Sequence, residues 1–160
     1  RIENKKLLLL SDLKYDRQNE GITPKLAAEL DPRVIAIRLT PGFEPEWLRH
    51  LAKLDIRGII IGTYCLGGLP FKSRDLLPVV RDLLDQGIAV VMGTQVPFEK
   101  TDPTIYEVGI RALKTGVIPT GLMTGVAVVT KLMWALGQTN DLTEIREIMA
   151  QDIALETKGE

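Results

Sequence analysis

Thr94 and Gln95 are the side chains best suited to grip a polar amide or carboxylate, one through a hydroxyl, the other through an amide. They follow the apolar run Ile88-Ala89-Val90-Val91-Met92 and Gly93. A second apolar run, Gly58-Ile59-Ile60-Ile61-Gly62, empties into Thr63-Tyr64-Cys65-Leu66-Gly67-Gly68-Leu69-Pro70. Tyr64, Gly67 and Gly68 in that loop are further pocket candidates, as are Met123 and Thr124 in the turn Thr120 to Gly125. The plainer alternative is that Thr94 and Gln95 only satisfy backbone groups of their turn.

Other chemistry is harder to assemble. Gly67-Gly68 belongs to neither G-x-G-x-x-G nor G-x-x-x-x-G-K-[ST], so it reads as a tight turn or a close backbone approach rather than a phosphate cradle. Cys65 is the one cysteine and His50 the one histidine. His50 falls on a helix preceding the Cys65 loop, so no base is placed for the thiol; the expectation is an inert cysteine and a surface histidine. No convergent His, Cys or carboxylate set suggests a metal. Trp47 and Trp134 sit at helical apolar spacing, as core or interface filler. With no nucleophile–base pair, carboxylate pair or metal, the chain alone does not read as a complete enzyme. No catalytic residue is expected within it.

The elements that must position these residues alternate. Lys6 to Ser11 reads as a first strand or extended lead-in, and Thr23-Pro24 as the start of a short helix ending near Leu30. Val34 to Leu39 is a strand, Pro45 to about Leu54 a helix, and Gly58 to Gly62 a strand buried on both faces. A helix carrying Leu76, Leu77, Val80, Leu83 and Leu84 follows, closed by Gly87. After the strand Ile88–Met92, Asp102-Pro103 starts a helix reaching Lys114, and Val117-Ile118-Pro119 is a short extended piece. Thr124 caps an apolar helix ended by Gly137, and Asp141 with Glu144 has the spacing of a capping box for a last helix. Alternating strands and helices demand a parallel sheet. The expected fold is a three-layer α/β sandwich, with a mainly parallel sheet of about four strands and helices on both faces. In such folds, ligands sit beyond the carboxyl ends of the strands, which places Pro41-Gly42, Thr63 to Pro70 and Gly93 to Gln95 on one edge.

The bounds agree with this reading. The 160 residues, 45% hydrophobic and 26% charged, suit one domain. A net charge of −1 with no basic block gives no footprint for nucleic acid. No apolar run approaches the ~20 residues needed to span a bilayer, so neither nucleic acid nor membrane is an expected partner. The single cysteine points to a reducing, cytoplasmic setting. A first residue of Arg1 suggests a processed chain or an excised domain.

The strings GIIIGTYCLGGLP, GIAVVMGTQV, Tyr106-Glu107-Val108-Gly109 and GVIPTGLMTGVAVVTKLMWALG, with Leu39-Thr40-Pro41-Gly42 before them, resemble the C-terminal domain of the bacterial-type L-asparaginases. They are also similar to the amide-releasing subunit of archaeal glutamyl-tRNA(Gln) amidotransferase. The resemblance runs from about Val34 to Ile153. It implies a missing N-terminal domain carrying the catalytic threonines, and an active site between the domains that a partner subunit closes. It also implies hydrolysis of a side-chain amide through an acyl-enzyme, without metal or organic cofactor. Tyr64, Thr94, Gln95 and Thr124 match the family. Gly68 stands where many relatives have Asn, Leu122 and Val126 where they have Asp and Glu, and Val96 where some have the cysteine of an effector pocket. The expectation is therefore a single domain, residues 1–160, of an asparaginase-like amidohydrolase acting on a small amide amino acid, contributing pocket closure and subunit contacts. The alternative is a diverged non-catalytic domain that dimerises or binds a small amide effector. The tRNA amidotransferase reading is disfavoured by the lost polar residues and the absence of a basic patch. The apolar helix from Met123 to Leu136 suits cover by a second domain or subunit, so a homo-oligomer is expected.

Overall fold

Three apolar runs, each too short and too β-branched for a helix, build the centre of the molecule. The structure is a computed structural model that describes residues 2–3, 6–7, 23, 25–97, 99–154 and 156–157. Two short strands, β1 (Ile2–Glu3) and β2 (Lys6–Leu7), pair antiparallel in a separate ribbon. The rest of the lead-in strand expected up to Ser11 lies outside the described residues. The main sheet has four strands, β3 (Val34–Arg38), β4 (Gly58–Thr63), β5 (Ala89–Thr94) and β6 (Ile118–Pro119). They lie side by side in chain order, all parallel.

Parallel neighbours need crossovers, and α1 (Pro45–Leu51), α2 (Leu77–Asp85) and α3 (Glu107–Leu113) supply them. Because crossovers share one hand and the sheet grows in one direction, the three helices fall on one face. There Leu48, Val79, Val80, Leu83 and Ala112 pack on Ile59, Ile61, Val90 and Met92. After β6 the chain passes to the other face, where α4 (Gly125–Gln138) and α5 (Leu142–Ala150) set Val128, Leu132, Ala135, Ile145 and Met149 on Ile60, Ala89 and Val91. Odd and even residues of β4 and β5 feed opposite cores, which is why both strands read as unbroken apolar runs. Each fully buried Leu or Ile contributes about 1.5 to 3 kcal/mol. The expected three-layer α/β sandwich is the fold observed.

Three local expectations are corrected. Residues 25–30 form no helix; they are held against α4 instead, because Ala27 and Glu29 present their carbonyls to Trp134 Nε1 (2.8 Å) and Gln138 Nε2 (2.9 Å). The helix expected from Asp102-Pro103 begins only at Glu107: Asp102 Oδ1 instead accepts from the backbone N–H (3.2 Å) and hydroxyl (2.6 Å) of Thr104, closing a turn that competes with helix. Gly137 does not end α4, which runs one residue further to Gln138. It is glycine because a Cβ there would collide with the Glu29 carbonyl, 2.6 Å from its carbon. Thr124 and Asp141 cap α4 and α5 as expected.

A candidate functional site at the carboxyl edge of the sheet

Where β3, β4 and β5 end, the backbone ladder is carried past its last rung by side chains. Gln95, just beyond β5, donates Nε2–H to the carbonyls of Gly62 (2.7 Å) and Leu39 (2.9 Å), while its Oε1 accepts from Arg38 Nε. The amide thus reaches across β4 to β3 and ties three strands together. Thr94 donates its hydroxyl to the Cys65 carbonyl and accepts from Val96 N–H (2.9 Å), joining the β4 loop to the β5 loop. Beneath it, Thr94 N–H donates to Thr101 Oγ1 (2.8 Å), which lies 2.9 Å from Thr120 Oγ1. Thr63 donates to the Gly93 carbonyl (2.9 Å). Thr63, Thr101 and Thr120 are buried.

The candidate residues divide between two hollows. Thr94, Gln95 and Met123 line a groove of about 320 Å³ on the α4 side, with Arg38 on its rim. Gly62 and Gly93 make the floor; a side chain at either would press on Gln95 Cγ or Thr120 Oγ1, each 3.3 Å away. Tyr64 opens instead on a hollow of about 330 Å³ towards α3, with Thr40, Phe43, Phe71 and Arg74. Gly67 and Gly68 are buried beneath the loop. Gly67 takes φ +119° against Thr101, and Gly68 lies under Val108. Thr124 accepts from Ala127 N–H (3.3 Å) as the α4 cap.

Arg38 and Thr101 are absent from the candidates that the sequence suggests. Arg38 carries a signal, a cation at the end of an apolar strand on the ligand edge. Thr101, in a loop with no periodicity, carries none.

Chemically the α4-side groove offers donors: a guanidinium, an amide and hydroxyls, most of them already engaged. His50 lies on α1, exposed, with Nδ1 2.7 Å from the Glu46 carbonyl, and the exposed Cys65 sits on the β4 loop. Among the described residues no group of three or more His, Cys, Asp or Glu is placed to hold a metal ion. No helix among them is long and apolar enough to cross a membrane.

Comparison with known proteins places this arrangement. Residues 33–149 match the model of the Glutaminase/Asparaginase C-terminal domain. The chain belongs to that family. The asparaginase-type domain is 52% identical over 136 residues to L-asparaginase of Thermococcus kodakarensis, covering 85% of this chain and 41% of that protein. It is 34% identical over 152 residues to a glutamyl-tRNA(Gln) amidotransferase subunit of Sulfolobus acidocaldarius, covering 94% of this chain and 32% of that protein. Among solved structures, the thermostable L-asparaginase from Thermococcus kodakarensis superposes with a TM-score of 0.78 over 82% of this chain and 40% of that one. L-asparaginase I from Vibrio cholerae O1 biovar eltor, 26% identical, superposes at 0.72 over 80% of this chain and 38% of that one. The chain therefore spans well under half the length of these relatives.

Replacing Gln95 with methionine keeps the bulk of the side chain and strands the Leu39 carbonyl, whereas the exposed Arg38 guanidinium turns to water. Gly62 O retains Leu39 N–H at 2.9 Å. We expect a loss of about 2 kcal/mol in unfolding free energy, read as a lowered urea midpoint at constant slope. An unchanged midpoint would show that the amide is not what holds the strand ends.

Proposed function

We propose that this chain is the C-terminal domain of an L-asparaginase-type amidohydrolase. In the intact protein it closes one side of the amide pocket and supplies subunit contacts, while the reactive threonines lie on an N-terminal catalytic domain. The reaction is hydrolysis of L-asparagine to L-aspartate and ammonia, without cofactor, in a cytoplasmic oligomer. The observation that carries this reading is the 52% identity to an L-asparaginase across 85% of this chain but 41% of that protein. The hydroxyls at the strand ends support it. Thr63 and Thr94 donate to backbone carbonyls, and Thr101 and Thr120 bond to each other, so each is occupied in holding loops together.

A second reading, a non-catalytic dimerisation or effector domain, draws support from Gly68, Leu122 and Val126. Each stands where the family resemblance places a polar residue, and Val126 is 77% exposed. The two are separated by ammonia release from asparagine and glutamine. The isolated 160 residues are expected to release none, and the parent protein to release it readily. Turnover by the isolated chain refutes the division of labour, and an inactive parent favours the second reading.

A further inference from the structure

Residues 27–31 lie along α4 with no helix or strand of their own, fastened at every second residue. The Ala27 carbonyl accepts from Trp134 Nε1 (2.8 Å), the Glu29 carbonyl from Gln138 Nε2 (2.9 Å), and Asp31 N–H donates to the Met133 carbonyl (2.9 Å). Gly137 lets the chain lie this close, since a Cβ there would stand 2.6 Å from Glu29 C and 3.0 Å from Leu30 N. The far end is anchored harder still. The Asp31 carboxylate accepts from Arg33 Nε (3.0 Å) and Nη2 (2.7 Å) and from Arg57 Nη1 (3.1 Å). Arg57 also donates to the carbonyls of Leu136 (2.9 Å) and Thr139 (3.2 Å) at the end of α4. These bonds, led by those of Arg33, hold the Asp31 carboxyl far below the usual carboxylate range despite its burial.

Such a segment is not a flexible linker. A free lead-in of this length would leave its carbonyls to water, whereas here two are satisfied by side chains of a single helix, 107 and 109 residues further along the chain. We propose that residues 27–31 are a rigid strap, and that Trp134, Gly137 and Gln138 are positioning residues which fix the direction in which the chain enters this domain. Resting on the function proposed above, the strap sets how the catalytic domain meets the carboxyl edge of the sheet. An amide pocket formed between two bodies depends on that angle, because displacements near 1 Å at a reacting group cost catalysis heavily.

The test uses two variants, Gly137→Ala, which forces the strap off α4, and Trp134→Phe, which removes one N–H donor and keeps an aromatic ring. In this chain, hydrogen exchange at the Asp31 amide is expected to rise by about tenfold or more in Gly137→Ala and less in Trp134→Phe, with the amides of Ile60 and Val91 unchanged. In the full-length parent, small-angle scattering is expected to broaden for Gly137→Ala, and kcat for asparagine to fall with KM nearly constant. Unaltered exchange at Asp31 in both variants overturns the clamp. Raised exchange with an unaltered scattering profile overturns its role in orientation. A wild-type parent that hydrolyses no amide overturns the proposed function alone, since exchange and scattering still decide the strap.

Discussion

Lys131→Met is expected to lower the unfolding free energy by about 3 to 5 kcal/mol, the cost of removing one partner from a buried ion pair. Lys131 is 7% exposed on α4, and its Nζ donates to the Gln151 carbonyl and to Glu156 Oε1. The Glu156 carboxylate in turn accepts from the backbone N–H groups of Ala154 (2.6 Å) and Ile153 (3.3 Å). A methionine of similar length fills the space but leaves a carboxylate that is only 14% exposed without its cation. Urea unfolding of Lys131→Met measures the loss, and Lys131→Met with Glu156→Gln should recover part of it, because the stranded charge is then gone. A double variant no better than the single one would show that packing, not charge, is what Lys131 supplies.

The same pair predicts a pH dependence. Burial pushes the Glu156 carboxyl up, but the hydrogen bonds from Lys131 and from the Ala154 and Ile153 amides outweigh it and bring the group from 4.5 down to about 2. A depressed folded-state value means that the unfolded chain takes up the proton first. The stabilisation is therefore complete above pH 4.5 and drains away as pH falls towards 2. In Lys131→Met, that acid-sensitive part of the stability should shrink. Lys131 is on this account a fastener for the segment after α5.

Gly68→Asn is the second large effect, a loss of about 3 kcal/mol from overpacking. Gly68 has no positive φ, so the backbone accepts a side chain there. Space does not. A Cβ would lie 2.8 Å from Val108 Cγ1 and 3.0 Å from Cγ2. A β-branched valine has little rotamer freedom with which to yield, so the loop or α3 must move instead. Val108→Ala removes both methyls, and Gly68→Asn in that background should regain most of the lost midpoint. If the double variant is as unstable as the single one, the contact with Val108 is not what requires glycine. The two positions form one steric unit, so a polar side chain at 68 demands a smaller residue on α3.

How much of this is legible in the sequence depends on range. The run Gly58 to Gly62 and the run Ile88 to Met92 are apolar on both faces, and only a strand covered by helices on each side explains them. The same logic gives the sheet its parallel sense and puts Tyr64, Thr94 and Gln95 at its carboxyl edge. Thr23-Pro24 and Asp102-Pro103 mislead because cap-plus-proline is a local signal, weaker than the bonds made elsewhere. Trp134 and Gln138 hold the carbonyls of Ala27 and Glu29 against α4, and Thr104 closes a turn on Asp102 before any helix can begin.

The amino-acid order alone determined the layer architecture, the order of the loops along the carboxyl edge of the sheet and the family, since these rest on periodicity and on strings of neighbouring residues. Folding in three dimensions decided the partners. Gln95 bridging to Leu39, Lys131 meeting Glu156, Gly137 yielding to Glu29 and Gly68 to Val108 are contacts between residues far apart in the chain, or on different elements. No local pattern encodes such contacts, because a hydrogen-bond donor or a missing Cβ specifies what it needs but not which distant segment will supply it.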